Sequence, residues 1–250
     1  MFFMKSLNKI VALLLIATFL ASIPMVFAQN QPQYTVVVNV LRDDSNFARP
    51  DGSTGKPGSD KPTPASTDYL LMGIKWKIKN PLLTIYVKDE VQGEVHLLNA
   101  VQLAADEWDS NSKSQLFSSI IDGQDIEVDT DVPDFNNEIV YGNIAEENVI
   151  AVTYTWYNSR TKAIVQFDMV LDSVDFSWGN GAEDSSVMDV QNIVTHEIGH
   201  GLGLADLYPD DPRATSSWAI QTMFGFATKG ETMKRTLEAG DIAGITRLYG

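Results

Sequence analysis

The stretch HEIGHGLGLADLY, residues 196–208, constrains this chain more than any other. In a helix, residues four apart lie about 40° from one another around the axis and about 6 Å along it, so the imidazoles of His196 and His200 project from one face. Two imidazoles placed in this way can grip one zinc ion. Glu197 sits beside the first of them, where its carboxylate can reach a water on that metal without binding the metal itself. That is the position a general base needs. The surrounding fold must therefore hold one helix with its histidine face toward a cleft.

Two histidines do not complete a catalytic zinc site, which ordinarily takes three protein ligands plus water. The remaining histidine, His96, falls between Val95 and Leu97 in a predicted helix and is the weaker candidate. Asp206 is nearer: Gly203 can adopt positive φ, end the helix and turn the chain back, and a carboxylate oxygen binds zinc at about 2.0–2.2 Å. A distant glutamate, Glu231 or Glu238, is the alternative third ligand, although ETMKR and EAGD lack the Glu-x-x-x-Asp/Glu pattern of the thermolysin-like gluzincins. A zinc-binding module without catalytic activity is the non-enzymatic alternative, and the intact Glu197 argues against it.

Composition excludes several chemistries. With no cysteine the chain has no disulfide, no thiolate ligand and no cysteine nucleophile. A net charge of −15 argues against nucleic acid and anionic membranes as partners. Ser216, Ser217 and the other serines have no plausible histidine partner outside the zinc motif, which argues against a serine hydrolase. Acidic loops such as DGQDIEVDTD, with Asp122 and Asp125, leave calcium open as a second ion, but the EF-hand spacing is absent.

The chain divides into three stretches. In residues 1–28, Lys5 and Lys9 precede the apolar run IVALLLIATFLA, a break at Pro24, and VFA ending at Ala28. This reads as a signal peptide cleaved after Ala28, hence a secreted protein. The run is about 12 residues, short of the ~20 that span a bilayer, so no stable membrane association is expected after cleavage; an uncleaved anchor is the alternative. Residues 29–68 form an N-terminal extension or short prosegment: YTVVVNV has strand character, while RPDGSTGKPGSDKPTPAST is a linker. Residues 69–250 form the catalytic domain, of α+β class. Strands are predicted in LLMGIKWKI, LLTIYV, NEIVYGNI, NVIAVTYTWYN and KAIVQFDMVLDSV. One amphipathic helix carries Val95, Leu98, Val101, Ala105 and Trp108. A second starts after AEDSS, with Ser186 and Asp189 approximating a capping box, and runs through the histidines to Gly201 and Gly203. A third covers LEAGDIAGITRLY.

HEIGHGLGLAD resembles the extended zinc pattern of the metzincin metalloproteases, His-Glu-x-x-His-x-x-Gly-x-x-His/Asp. TMFGF resembles their Met-turn, which implies that Met223 lies beneath the metal. GDIAGITRLYG is similar to the closing helix of the matrixin branch, and AADEWDS and FDMVLDSVDFSWG resemble matrixin segments, so the likeness covers residues 70–250. It implies a metzincin-like zincin fold, with a twisted mixed five-stranded sheet, an antiparallel edge strand, an active-site helix and a C-terminal helix. It also implies a monomeric zinc endopeptidase, with His196, His200 and Asp206 on zinc and Glu197 as base, acting on protein or peptide substrates. NVIAVTYTW is the candidate edge strand to which an extended substrate would add. The specificity pocket would be walled by the histidine helix and the loop from Phe224 to Arg235.

Four departures stand out. Asp replaces the third His, as in snapalysin-like metzincins and some microbial matrixin relatives. There is no cysteine for a matrixin-type latency switch, too few histidines for a structural zinc, and Gly240 stands where the branch has the first of two aspartates. Latency through an aspartate of the extension, Asp43, Asp44 or Asp51, is one substitute for the missing cysteine.

Overall fold

The β-branched runs of the sequence assemble into one seven-stranded sheet. In the computed structural model, which describes residues 33–44, 65–78 and 81–250, its strands are β1 (Tyr34–Asp43), β2 (Leu83–Val87), β3 (Phe117–Asp122), β4 (Asn137–Gly142), β5 (Val149–Asn158), β6 (Ile164–Asp172) and β7 (Phe226–Ala227). The expected signal peptide, most of the linker and Asp51 lie outside the described residues. The strand order is β7-β1-β5-β6-β4-β2-β3. Strand β2 runs parallel to β3 and β4, β4 runs parallel to β6, and β5 is antiparallel to β6. These five strands are the mixed sheet that the sequence implied.

The remaining two strands change its edge. β1 pairs antiparallel with β5 from Tyr34 opposite Asn158 to Arg42 opposite Val149, and β7 then pairs parallel with the end of β1. NVIAVTYTW, expected at an open edge, is therefore an inner strand, and YTVVVNV, set apart from the domain on sequence, is hydrogen-bonded along it. LLMGIKWKI is a correction of a different kind. Only Leu70–Leu71 forms a strand there, against Leu204–Ala205, while Ile74 and Trp76 turn into the core.

Three helices pack on this framework: α1 (Leu97–Ser110), α2 (Val190–Leu202) and α3 (Ala239–Tyr249). The buried face of α1 is Leu97, Ala100, Val101, Ala104, Ala105 and Trp108, the three-and-four spacing of a single stripe. Val95 and Leu98, expected on that stripe, are only partly buried at its margin. Every residue of α2 except Gln191 is buried, so this helix has no solvent face, and its backbone ends must find partners inside the protein. At its start Asp189 is the cap, accepting from Asn192 N at 2.8 Å. Ser186 instead bonds Asp184 in the preceding turn, which corrects the expected capping box. At its end Gly203, with φ of 103°, brings its N–H back to the Gly199 and His200 carbonyls. Trp76 Nε1 donates to Gly201 O at 2.9 Å and Tyr249 Oη to Leu202 O at 2.7 Å, so the last carbonyls are satisfied by side chains from distant segments. Midway, Trp108 Nε1 donates to Thr195 O at 2.9 Å and ties α1 to α2.

One feature of the sheet is costly. Burial pushes Asp168 up to about 8, opposed by a hydrogen bond from Gln166, and pushes Glu138 up to about 7, with Asp134 adding to the rise. A carboxyl whose folded pKa is raised loses its proton first in the unfolded chain, so the stability that depends on Glu138 declines as pH rises from about 4.5 to 7 and stays lower above that range. Glu138→Gln is expected to raise the unfolding midpoint at pH 8 and leave it nearly unchanged at pH 4. With solvent screening allowed for, the gain is about 1 kcal/mol, or roughly 2–4 °C for a domain of this size, read by thermal denaturation at the two pH values.

Candidate metal centre

The sequence of α2 puts His196 and His200 on one face, and the Gly203 turn brings Asp206 against them. The His196 and His200 Nε2 atoms are 3.2 Å apart, and Asp206 Oδ1 lies 3.2 Å from the first and 3.4 Å from the second. Both imidazoles are wholly buried, and the Asp206 side chain is 8% exposed. Each histidine gives its Nδ1 proton to a backbone carbonyl, His196 to Thr222 at 2.7 Å and His200 to Leu204 at 3.0 Å. A neutral imidazole with a proton on Nδ1 has a lone pair on Nε2. Three acceptor atoms thus face one another in a buried pocket.

Such an arrangement suits a cation. A tetrahedral ion with bonds of about 2.0–2.2 Å separates its ligand atoms by about 3.3–3.6 Å, so the observed triangle fits zinc closely. Without a metal the site draws in a proton: burial alone would lower the His200 imidazole, but the Asp206 carboxylate outweighs it and pushes it up to about 9. Conversely, burial would raise Asp206, but the two histidines hold it well below the usual carboxylate range. Asp206 Oδ1 also has no hydrogen-bond donor among the described residues.

Glu197 lies beside this triangle, fully buried. Its Oε2 accepts from Thr153 Oγ1 on β5 at 2.5 Å, while Oε1 has no hydrogen-bond partner among the described residues. Burial raises its pKa, against the lowering effect of His196, His200 and the Thr153 hydroxyl. Only one of its two carboxylate oxygens is thus anchored.

Beneath the site, Met223 is 1% exposed, and its Sδ lies 2.3 Å from where a Cβ on Gly199 would stand. Any side chain at 199 would therefore displace Met223, which packs against α2 between the two histidines. The Asp241 carboxylate accepts from Thr222 N at 2.8 Å and Met223 N at 3.1 Å. It thereby places the Thr222 carbonyl that orients His196.

Two contributors were not recognised in the sequence. Tyr208 Oη lies 3.0 Å from Asp206 Oδ2 and 3.2 Å from Val40 O, so its single proton serves one or the other. Burial and the Asp206 charge raise its pKa well above the ordinary tyrosine value, so it remains a donor. Its position two residues after Asp206 was the only available signal. Thr153 had none, because its role depends on the pairing of β5.

Several candidates fall away. His96 is the N-cap residue of α1, not part of its interior, and bonds Asp89 at 2.9 Å. Glu231 is paired with Lys234 at 2.7 Å, and Glu238 caps α3, so neither serves as a distant third ligand. Asp43 and Asp44 do not join the metal group, and their amides bond Asn148 O and Ala227 O. Asp122 ends β3 and Asp125 lies in the loop after it, both exposed, and among the described residues no second cluster of three or more such ligands occurs.

The Matrixin family model matches residues 75–250. The chain belongs to the matrixin family. No curated protein matches it. As a matrixin it is a zinc metalloendopeptidase that acts on protein or peptide substrates, and a His-His-Asp group that could hold a metal ion is present. Asp241→Asn is expected to weaken zinc binding 10- to 100-fold, the usual effect of losing a group that orients a ligand, in a chelator competition assay.

Proposed function

We propose that the protein is an exported matrixin-type endopeptidase in which His196, His200 and Asp206 hold the catalytic zinc and Glu197 is the general base. The observation that carries this reading is the convergence of three acceptor atoms at 3.2–3.4 Å beside the unpartnered Glu197 Oε1. A zinc ion bound there supplies Lewis acidity and brings the pKa of a water it binds to about 7. The residues of the chain do the rest. Thr153 fixes Glu197 so that Oε1 takes the proton of the attacking water and returns it to the leaving nitrogen. Tyr208, kept protonated by its surroundings, donates to the carbonyl oxygen where negative charge develops. Asp206 Oδ2 is the alternative acceptor of that single proton and holds the Tyr208 hydroxyl in place until a carbonyl takes it, while Oδ1 faces the metal position. Export rests on the pattern of residues 1–28.

Glu197→Gln should retain zinc at unchanged stoichiometry and lose about 10²- to 10⁴-fold in kcat on a peptide library. Retained activity would remove Glu197 as the base. Asp206→Ala should weaken zinc binding in the same chelator competition, and unchanged affinity would remove it as a ligand. Tyr208→Phe should lower kcat by about 10²-fold with little change in KM, as expected for a donor that acts mainly in the transition state. If residues 1–28 direct export, Glu197→Gln protein recovered from the medium begins at Gln29.

A further inference from the structure

The extension does not merely lie near the site; it runs through it. Strand β1 adds to β5 along its length, and at its far end Arg42 and Asp43 pair with Phe226 and Ala227 of β7, in the loop after Met223. Its main chain is therefore held from both sides, which is how an extended peptide gains affinity from a sheet edge. The register places the middle of β1 over the catalytic group. Asn39 stands opposite Thr153, whose hydroxyl anchors Glu197. The next carbonyl, Val40 O, accepts from Tyr208 Oη at 3.2 Å, and Tyr208 also contacts Asp206. The residue after that carbonyl, Leu41, is completely buried, whereas Val38 is 49% exposed. A carbonyl at a hydroxyl donor, followed by a side chain buried in the core, is the arrangement of a bound substrate.

We propose that Tyr34–Asp43 is a tethered substrate, which occupies the cleft of its own chain and presents the Val40–Leu41 peptide bond for cleavage. This rests on the peptidase reading above. Hydrolysis consumes one water: its oxygen bonds the Val40 carbonyl carbon, one proton passes to Glu197, and the C–N bond breaks. Glu197 then returns the proton to the Leu41 nitrogen. The products are a fragment ending in a Val40 carboxylate and a domain that begins at Leu41. Until the cut, β1 excludes external peptides from β5; after it, residues up to Val40 can leave. A strand then takes the role that a cysteine switch would otherwise fill.

The test uses the exported chain beginning at Gln29. In zinc-loaded Glu197→Gln protein, which holds the bond uncut, the Val36–Leu41 amides should be protected from hydrogen exchange; free exchange would overturn the proposal. In the active chain, mass spectrometry should find one cut between Val40 and Leu41, with a rate constant unchanged on tenfold dilution. Leu41→Asp should abolish that cut and raise kcat/KM on external peptides at least tenfold before processing. Because Leu41 is buried, Leu41→Ala is run beside it and should slow the cut while the fold is kept. Digestion of external peptides with Val40–Leu41 left intact, or a cut whose rate constant scales with protein concentration, would overturn this proposal alone. Absence of digestion by every variant would overturn the peptidase reading and this proposal with it.

Discussion

Two imidazole nitrogens and a carboxylate oxygen, held 3.2–3.4 Å apart with their lone pairs converging, are costly to bury without a cation between them. The rest of the architecture keeps them there. The histidines must come from a rigid helix, and α2 is buried on all sides to make it rigid. A buried helix must have its end carbonyls satisfied, which brings in Trp76 and Tyr249 from segments far away in the chain. Asp206 must return to the histidine face within a few residues, which requires the left-handed turn at Gly203.

The support is layered by chemistry. Backbone carbonyls of Thr222 and Leu204 choose the histidine tautomers, and Asp241 in turn fixes the loop that carries Thr222. Met223 fills the space under α2 that the missing side chain of Gly199 leaves. Thr153 and Tyr208 anchor the two acidic groups from opposite directions, one on Glu197 and one on Asp206. Glu197 Oε1 and Asp206 Oδ1 are left without a hydrogen-bond partner among the described residues.

The sheet connects this site to the start of the chain. A strand such as β5 offers a row of main-chain groups to whatever pairs with it, and here β1 occupies them. The loop after Met223 closes over the far side through β7, so the same loop that bears the Met-turn also grips β1. The pairing with β1 and the hydrogen bond that orients His196 thus come from one short stretch of backbone.

Local pattern was enough to read α2, its histidines, Glu197, Asp206 and the five central strands, because helical spacing and β-branched runs are properties of neighbouring residues. The resemblance of the motif also pointed to Met223. The helix cap was misplaced by three residues, since Ser186 and Asp189 are equally suitable by type and only the bonds of Asp184 separate them. Thr153, Tyr208 and the path of β1 were not legible: each acts on residues far from it in sequence, through strand register or a turn. By itself the sequence determined which atoms could bind a metal and on which element they stand. Only the tertiary structure decided what orients them and what lies across them, because hydrogen bonds between distant segments leave no periodic trace in the chain.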